Sequence, residues 1–421
     1  MHILLFIFYT VLFSYCITRI PFIKKTGLSR KLLIIFFLLK IIGGCLYGYI
    51  HARSSDYPER FDTWKFHYQS IEQTELLKTD PAAFFSELFR NPYPGGVQKI
   101  FQIVNSYWND LKFIFMVKLL AILNLFSFKN YYVNVVLLSF ITFFGPVAIY
   151  RVFTAVVNKN HLLVAAGCFL IPSMIFWAGG IHKEGLLILS LGLFCFHFRK
   201  LIHGEKIWRG LIICFSCTVL IFILRNNVLF GLIPSACAWA LAERRPQKTG
   251  LIFASVFTLF MIAFFTSKYF VPRIDLPYSV RLRQLEFISL GGNTAVRVDS
   301  LEPNLKGFIH NLPSSVNISF LKPYPGEGGM NYIPFTLESV LLVALILLMV
   351  VSYDKSVRQI PFLSFSIAIS VVMFLVIGYT VPNIGAVVRY KSVVYPFLYT
   401  TIALKIDWKN LLARLKLKKA D

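Results

Sequence analysis

Four short stretches hold the residues best equipped for chemistry. In SSDYPERFDTWKFHY, residues 54–68, Asp62 is followed about a turn and a half later by His67 and Tyr68. A carboxylate so placed can take a proton from an acceptor hydroxyl as general base, although Asp is also a favoured helix N-cap. Asp56 is a reserve candidate, with a turn before Pro58 as its competing role. In PSMIFWAGGIHKEG, residues 172–185, Gly179 and Gly180 permit a tight turn, and His182, Lys183 and Glu184 crowd the edge of an apolar run. Lys183 and Glu184 are the candidates there for binding a substrate; pairing with each other is the plainer alternative. Arg225, beside Asn226 and Asn227, lies between two short apolar runs. Its guanidinium offers a planar pair of donors to a phosphate, or serves as an ordinary interfacial anchor. The fourth stretch, PNIGAVVRYKSVVYP at 382–396, presents Arg389 and Lys391, which would meet a lipid phosphate or simply lipid headgroups.

The elements that position these residues are apolar. Hydrophobic residues make up 57% of the chain and charged residues 15%, against about 25% charged in a soluble domain. The apolar residues gather into runs of about 16 to 22, each near the length that crosses a hydrocarbon core as a helix. Spans are expected at about 3–19, 32–50, 131–151, 161–178, 182–198, 210–224, 227–242, 250–270, 334–352, 361–380 and 386–405. The first run has no charged leader and no small-residue cleavage site, so it reads as a retained helix. The run at 112–126 is expected not to cross, but to lie as an interfacial or re-entrant helix with Lys112 and Lys118 snorkelling to the surface. The fold class is therefore an all-α polytopic membrane protein of about eleven spans. It forms a single integral membrane domain over residues 1–421 with two large exoplasmic loops, 51–130 and 271–334.

Within the first loop, Trp64, Tyr68, Ile71 and Leu76 predict an amphipathic helix on the membrane, closed by NPYPGG at 91–96. The second loop shows no sustained period and reads as irregular with short elements. A net charge of +23 invites a nucleic-acid partner, but the excess cations sit in short breaks between apolar runs and in the tail, including Lys418 and Lys419. That is the positive-inside pattern of an inner-membrane protein with a cytoplasmic C-terminus, and it excludes nucleic acid. The seven cysteines all lie in apolar runs, so neither a disulfide framework nor a metal site is expected from Cys214 and Cys217.

With that topology the four stretches fall on one exoplasmic face. One carboxylate near several cations suits inverting sugar transfer from a lipid phosphate: the acid activates the acceptor oxygen while cations stabilise charge on the departing phosphate. Phosphate-loop, zinc-protease and serine-hydrolase motifs are absent from the sequence.

The order of features resembles the GT-C superfamily of membrane glycosyltransferases, in particular bacterial members that use polyprenyl-phosphate mannose. Asp62 in RFDTWKFHY matches the acidic residue such proteins carry soon after a span, and PSMIFWAGGIHKEG resembles their later polar hairpin. NLPSSVNISFLKPYP also looks like loops of bacterial members. An extra early span and the lack of a plain acidic pair near Asp62 depart from the pattern. The resemblance implies a polyprenyl-phosphate-linked sugar as donor, a glycan or lipid as acceptor, and membrane lipids as surroundings. No cofactor is fixed by the sequence, and a divalent cation is left open. A polymerase of lipid-linked repeat units would use the same parts; a transporter or flippase would place more charge at mid-span.

Overall fold

The computed structural model describes residues 1–93, 106–272, 274–292, 294–327 and 329–417. Residues 94–96 of the NPYPGG break, and Lys418 and Lys419 of the tail, lie outside them. The helices run in the order α1 (His2–Arg19), α2 (Pro21–Lys24), α3 (Arg30–Arg53), α4 (Asp62–Thr79), α5 (Pro81–Ser86), α6 (Tyr107–Ser127) and α7 (Tyr131–Val156). Then come α8 (His161–Phe169), α9 (Pro172–Gly179), α10 (Lys183–Ile202), α11 (Ile207–Arg225), α12 (Leu229–Glu243), α13 (Thr249–Phe270) and α14 (Leu276–Leu290). The series ends with α15 (Leu305–Val316), α16 (Ile333–Val351), α17 (Pro361–Thr380), α18 (Ile384–Lys391), α19 (Tyr395–Leu404) and α20 (Trp408–Leu417).

Among the described residues eight helices are long and apolar enough to cross a membrane, or nine if the bent pair α8 and α9 makes one crossing. That count takes α11 and α12 as one continuous 37-residue helix. The chain is an all-helical, multi-pass membrane protein. It divides into two compact units, residues 1–151 with 173–226, and residues 152–172 with 227–421.

In the first unit, small residues let backbones approach closely, as helix packing in lipid requires. A side chain on Gly43 or Gly44 of α3 would strike the backbone of Ile175 or Gly179 in α9, and one on Gly192 would strike Gly145. Lys40, a cation within α3, is buried and donates to the carbonyl of Ala178 at 2.5 Å. It thus satisfies an acceptor that the end of α9 leaves open. Substituting Gly44 by Leu should force these backbones apart, at a cost of about 1–3 kcal/mol. The expected result is a lower thermal midpoint in detergent, with Gly250→Leu, whose site is open, as the control for handling.

The helix predicted after Asp62 forms, but its buried face is not the expected one. Thr63, Phe66, His67, Ser70 and Thr74 are buried, while Tyr68 is exposed. The seam is polar because α6 answers it with Asn124. Its amide donates to Ser70 Oγ at 2.9 Å and Thr74 Oγ1 at 3.0 Å, and its oxygen accepts from Asn134 of α7 at 2.6 Å. Lys118 does not snorkel. It is buried, paired with Glu87 at 2.9 Å and Gln73 at 2.9 Å, and lies over the Phe84 ring.

The second unit is organised around α17, against which α12, α13, α14, α15 and α19 pack. Trp239 of α12 meets Phe362 and Phe365, each with ring centroids 5.0 Å apart. Three expectations change here. The span at 161–178 is two helices, because Pro172 opens α9 and disfavours helix at the residue before it. The span at 386–405 is likewise two, with Pro396 in the first turn of α19. The loop at 271–334 is largely helical. Its α15 buries Gly307, Phe308, Asn311 and Ser315, and turns Leu305, Ile309, Leu312 and Val316 outward. An apolar stripe on an outward face suits a helix lying in the membrane interface.

Candidate functional site

The start of α4 is pinned from two sides. Thr63 Oγ1 lies 2.7 Å from the Tyr131 hydroxyl, and Trp64 donates to the Gly48 carbonyl at 3.0 Å while stacking on Tyr131. Asp62 is the first helical residue rather than the N-cap; Phe61 occupies that position without a side-chain bond. Its carboxylate is half-exposed, and one oxygen faces His182 Nε2 at 3.5 Å.

His182 stands in the turn between α9 and α10, with an extended backbone. Its ring is buried, with Tyr47, Phe66 and Trp177 edge-to-face around it. Nδ1 contacts the Glu184 carboxylate, and the Lys183 backbone nitrogen lies 3.0 Å from the same ring nitrogen. The other oxygen of Glu184 accepts from Arg225 Nη2 at 2.6 Å. Glu184 is 0% exposed, so the paired guanidinium is what makes a carboxylate tolerable there. The result is a chain of groups, Asp62, His182, Glu184, Arg225, running from a half-exposed acid to a buried cation.

Of the residues proposed from sequence, Asp62, Glu184 and Arg225 are brought together. Lys183 is adjacent, its ammonium 5.3 Å from the centre of the Phe66 ring. His67 is not part of the chain. It packs edge-on against Tyr131, and burial pulls its pKa from 6.5 down to about 4, so it is neutral at pH 7. His182, named in the hairpin but not chosen, is the link; its signal was its place in the turn beside two charged neighbours.

Arg389 and Lys391 belong to the second unit. Arg389 lies against Tyr390, 5.1 Å from the ring centre. Lys391 is fully buried and donates to the Lys322 carbonyl at 2.8 Å, between the rings of Phe374 and Tyr395. Buried Glu338 of α16 acts electrostatically on Lys391, and its backbone carbonyl accepts from the Tyr399 hydroxyl at 2.5 Å. Glu338 was missed in sequence; its signal is a lone acid in the apolar run PFTLESVLLVAL. The same unit holds an apolar cavity of about 320 Å³, walled by Phe230, Phe264, Phe308, Leu312, Leu375 and Tyr379 among others.

No group of three His, Cys, Asp or Glu side chains among the described residues is arranged to hold a metal ion. The contacts in the first unit run in line, with each ring nitrogen of His182 turned to a different carboxylate. An all-helical polytopic membrane protein with a buried His–Glu–Arg chain behind a half-exposed acid is the class these features define. No family model matches the sequence, and neither the curated proteins nor the solved structures contain a match.

Proposed function

We propose that the protein is an inverting membrane glycosyltransferase of GT-C type, which moves a sugar from a polyprenyl-phosphate donor to an exoplasmic glycan or lipid acceptor. The observation that carries this reading is the half-exposed Asp62 carboxylate backed by His182, Glu184 and Arg225. Asp62 takes the proton of the acceptor hydroxyl as its oxygen forms the bond to the anomeric carbon. The bond from that carbon to the donor phosphate breaks, and the lipid phosphate leaves with the electron pair. His182 Nε2 faces Asp62 and can share the proton, while Glu184 and Arg225 hold the imidazole in its orientation.

Lys183, beside His182 and Glu184, is the cation proposed for the departing phosphate. Lys391 acts as a positioning residue, through its bond to the Lys322 carbonyl. The apolar cavity supports a substrate borne on a hydrocarbon chain. In the proposed topology α8–α9 and α18–α19 each make one broken crossing. The basic breaks and the C-terminus face the cytoplasm of a bacterial inner membrane.

The test is transfer of radiolabelled sugar from a short-chain prenyl-phosphate hexose to membrane glycan by the full-length protein in proteoliposomes. Label moved as single sugars with inverted anomeric configuration supports the reading. Label moving only as preassembled oligosaccharide blocks from a diphosphate carrier replaces it with a polymerase.

A further inference from the structure

A second cavity, of about 300 Å³, lies in the first unit among the ends of α2, α7 and α10 and the start of α11. Five cations line it, Lys25, Arg151, Lys200, Lys206 and Arg209, against one carboxylate, Glu205. Lys200 is 3.7 Å from that carboxylate, so the acid is directed at one wall. The remaining positive charge surrounds a space at the small end of the range for ligand sites, about 300–1,000 Å³.

Arg151 is the fixed member. Its guanidinium is held over the rings of Phe22, at 4.6 Å, and Phe196, at 4.5 Å, and it donates to the Phe22 carbonyl at 3.3 Å. A planar guanidinium clamped in this way loses little freedom when it meets an anion. The first turn of α11, from Lys206 to Arg209, adds backbone N–H groups at a helix amino terminus. Ile207 and Trp208 of that same turn are exposed, Trp208 by 80%. An indole beside cations at the end of apolar helices belongs at the level of lipid headgroups.

We propose that this pocket binds the phosphate of an anionic membrane lipid headgroup, at a site separate from the Asp62 chain. Chemistry alone would admit free phosphate equally; the exposed Ile207 and Trp208 favour the lipid. The clamped arginine provides a fixed seat that scattered surface cations would not.

The experiment measures binding of dioctanoyl phosphatidylglycerol to the purified full-length protein by native mass spectrometry, with dioctanoyl phosphatidylcholine and inorganic phosphate in parallel. Saturable binding of the phosphatidylglycerol alone is expected. The double variant Lys206→Gln, Arg209→Gln removes two exposed side chains and so should keep its thermal midpoint while binding about five- to tenfold more weakly. A matched variant at the basic turn between α12 and α13, Arg244→Gln with Lys248→Gln, should bind as wild type. Equal affinity in all three proteins, or equal weakening in both variants, overturns the site. Inorganic phosphate binding as tightly as the lipid overturns the choice of ligand.

Discussion

If Asp62 is the proposed general base, replacing it by Asn should lower sugar transfer by about a hundred- to ten-thousandfold, the range by which a positioned general base contributes, with folding preserved. The substitution keeps size and shape, and Thr63 and Trp64 pin the turn around it. Asn lacks the basicity to accept the hydroxyl proton, so the turnover rate should fall with little change in donor binding. Single-turnover transfer in proteoliposomes, beside a melting curve in detergent, separates the two. Turnover equal to wild type removes Asp62 from the chemistry and leaves the buried chain without a reacting partner.

Arg225→Met should be the most damaging single change to stability, costing about 3–5 kcal/mol, because it leaves the Glu184 carboxylate buried without its guanidinium. Neutralising both partners, as Glu184→Gln with Arg225→Met, should recover most of that loss, since no uncompensated charge then remains. The recovered protein should still transfer sugar poorly, because His182 has lost the carboxylate that orients it. Unfolding in graded SDS and transfer activity on the four proteins of the cycle give both answers. A double variant no more stable than Arg225→Met shows that the pair is not what makes Glu184 tolerable.

The membrane class was open to reading because composition and run length report directly on lipid. The runs expected at 3–19, 250–270 and 361–380 correspond to His2–Arg19, Thr249–Phe270 and Pro361–Thr380. Breaks inside apolar runs were not open to reading in the same way. Pro146 and Pro234 sit within continuous helices, while Pro172 and Pro396 mark discontinuities. Hydropathy treats all four alike.

For the site, residue type singled out Asp62, Glu184 and Arg225 as candidates, but the contact that joins them runs through His182 and links distant parts of the chain. Periodicity says nothing about a side chain in a turn. The buried face of α4 was misread for a related reason: its Ser70 and Thr74 find a partner in Asn124 of α6, and this polar seam replaces the apolar stripe as the packing surface. Lys391 looked like an outward cation by its place in the sequence; its carbonyl partner at Lys322 lies far away in the chain.

Asn124 gives α4 a built-in depth gauge. Two greasy helices can slide past one another by a turn, about 5.4 Å, and find much the same neighbours. An amide that has to meet Ser70 and Thr74 together allows no such slip. The altitude of Asp62 is thereby dictated about two turns further down its helix, by an asparagine that also accepts from Asn134.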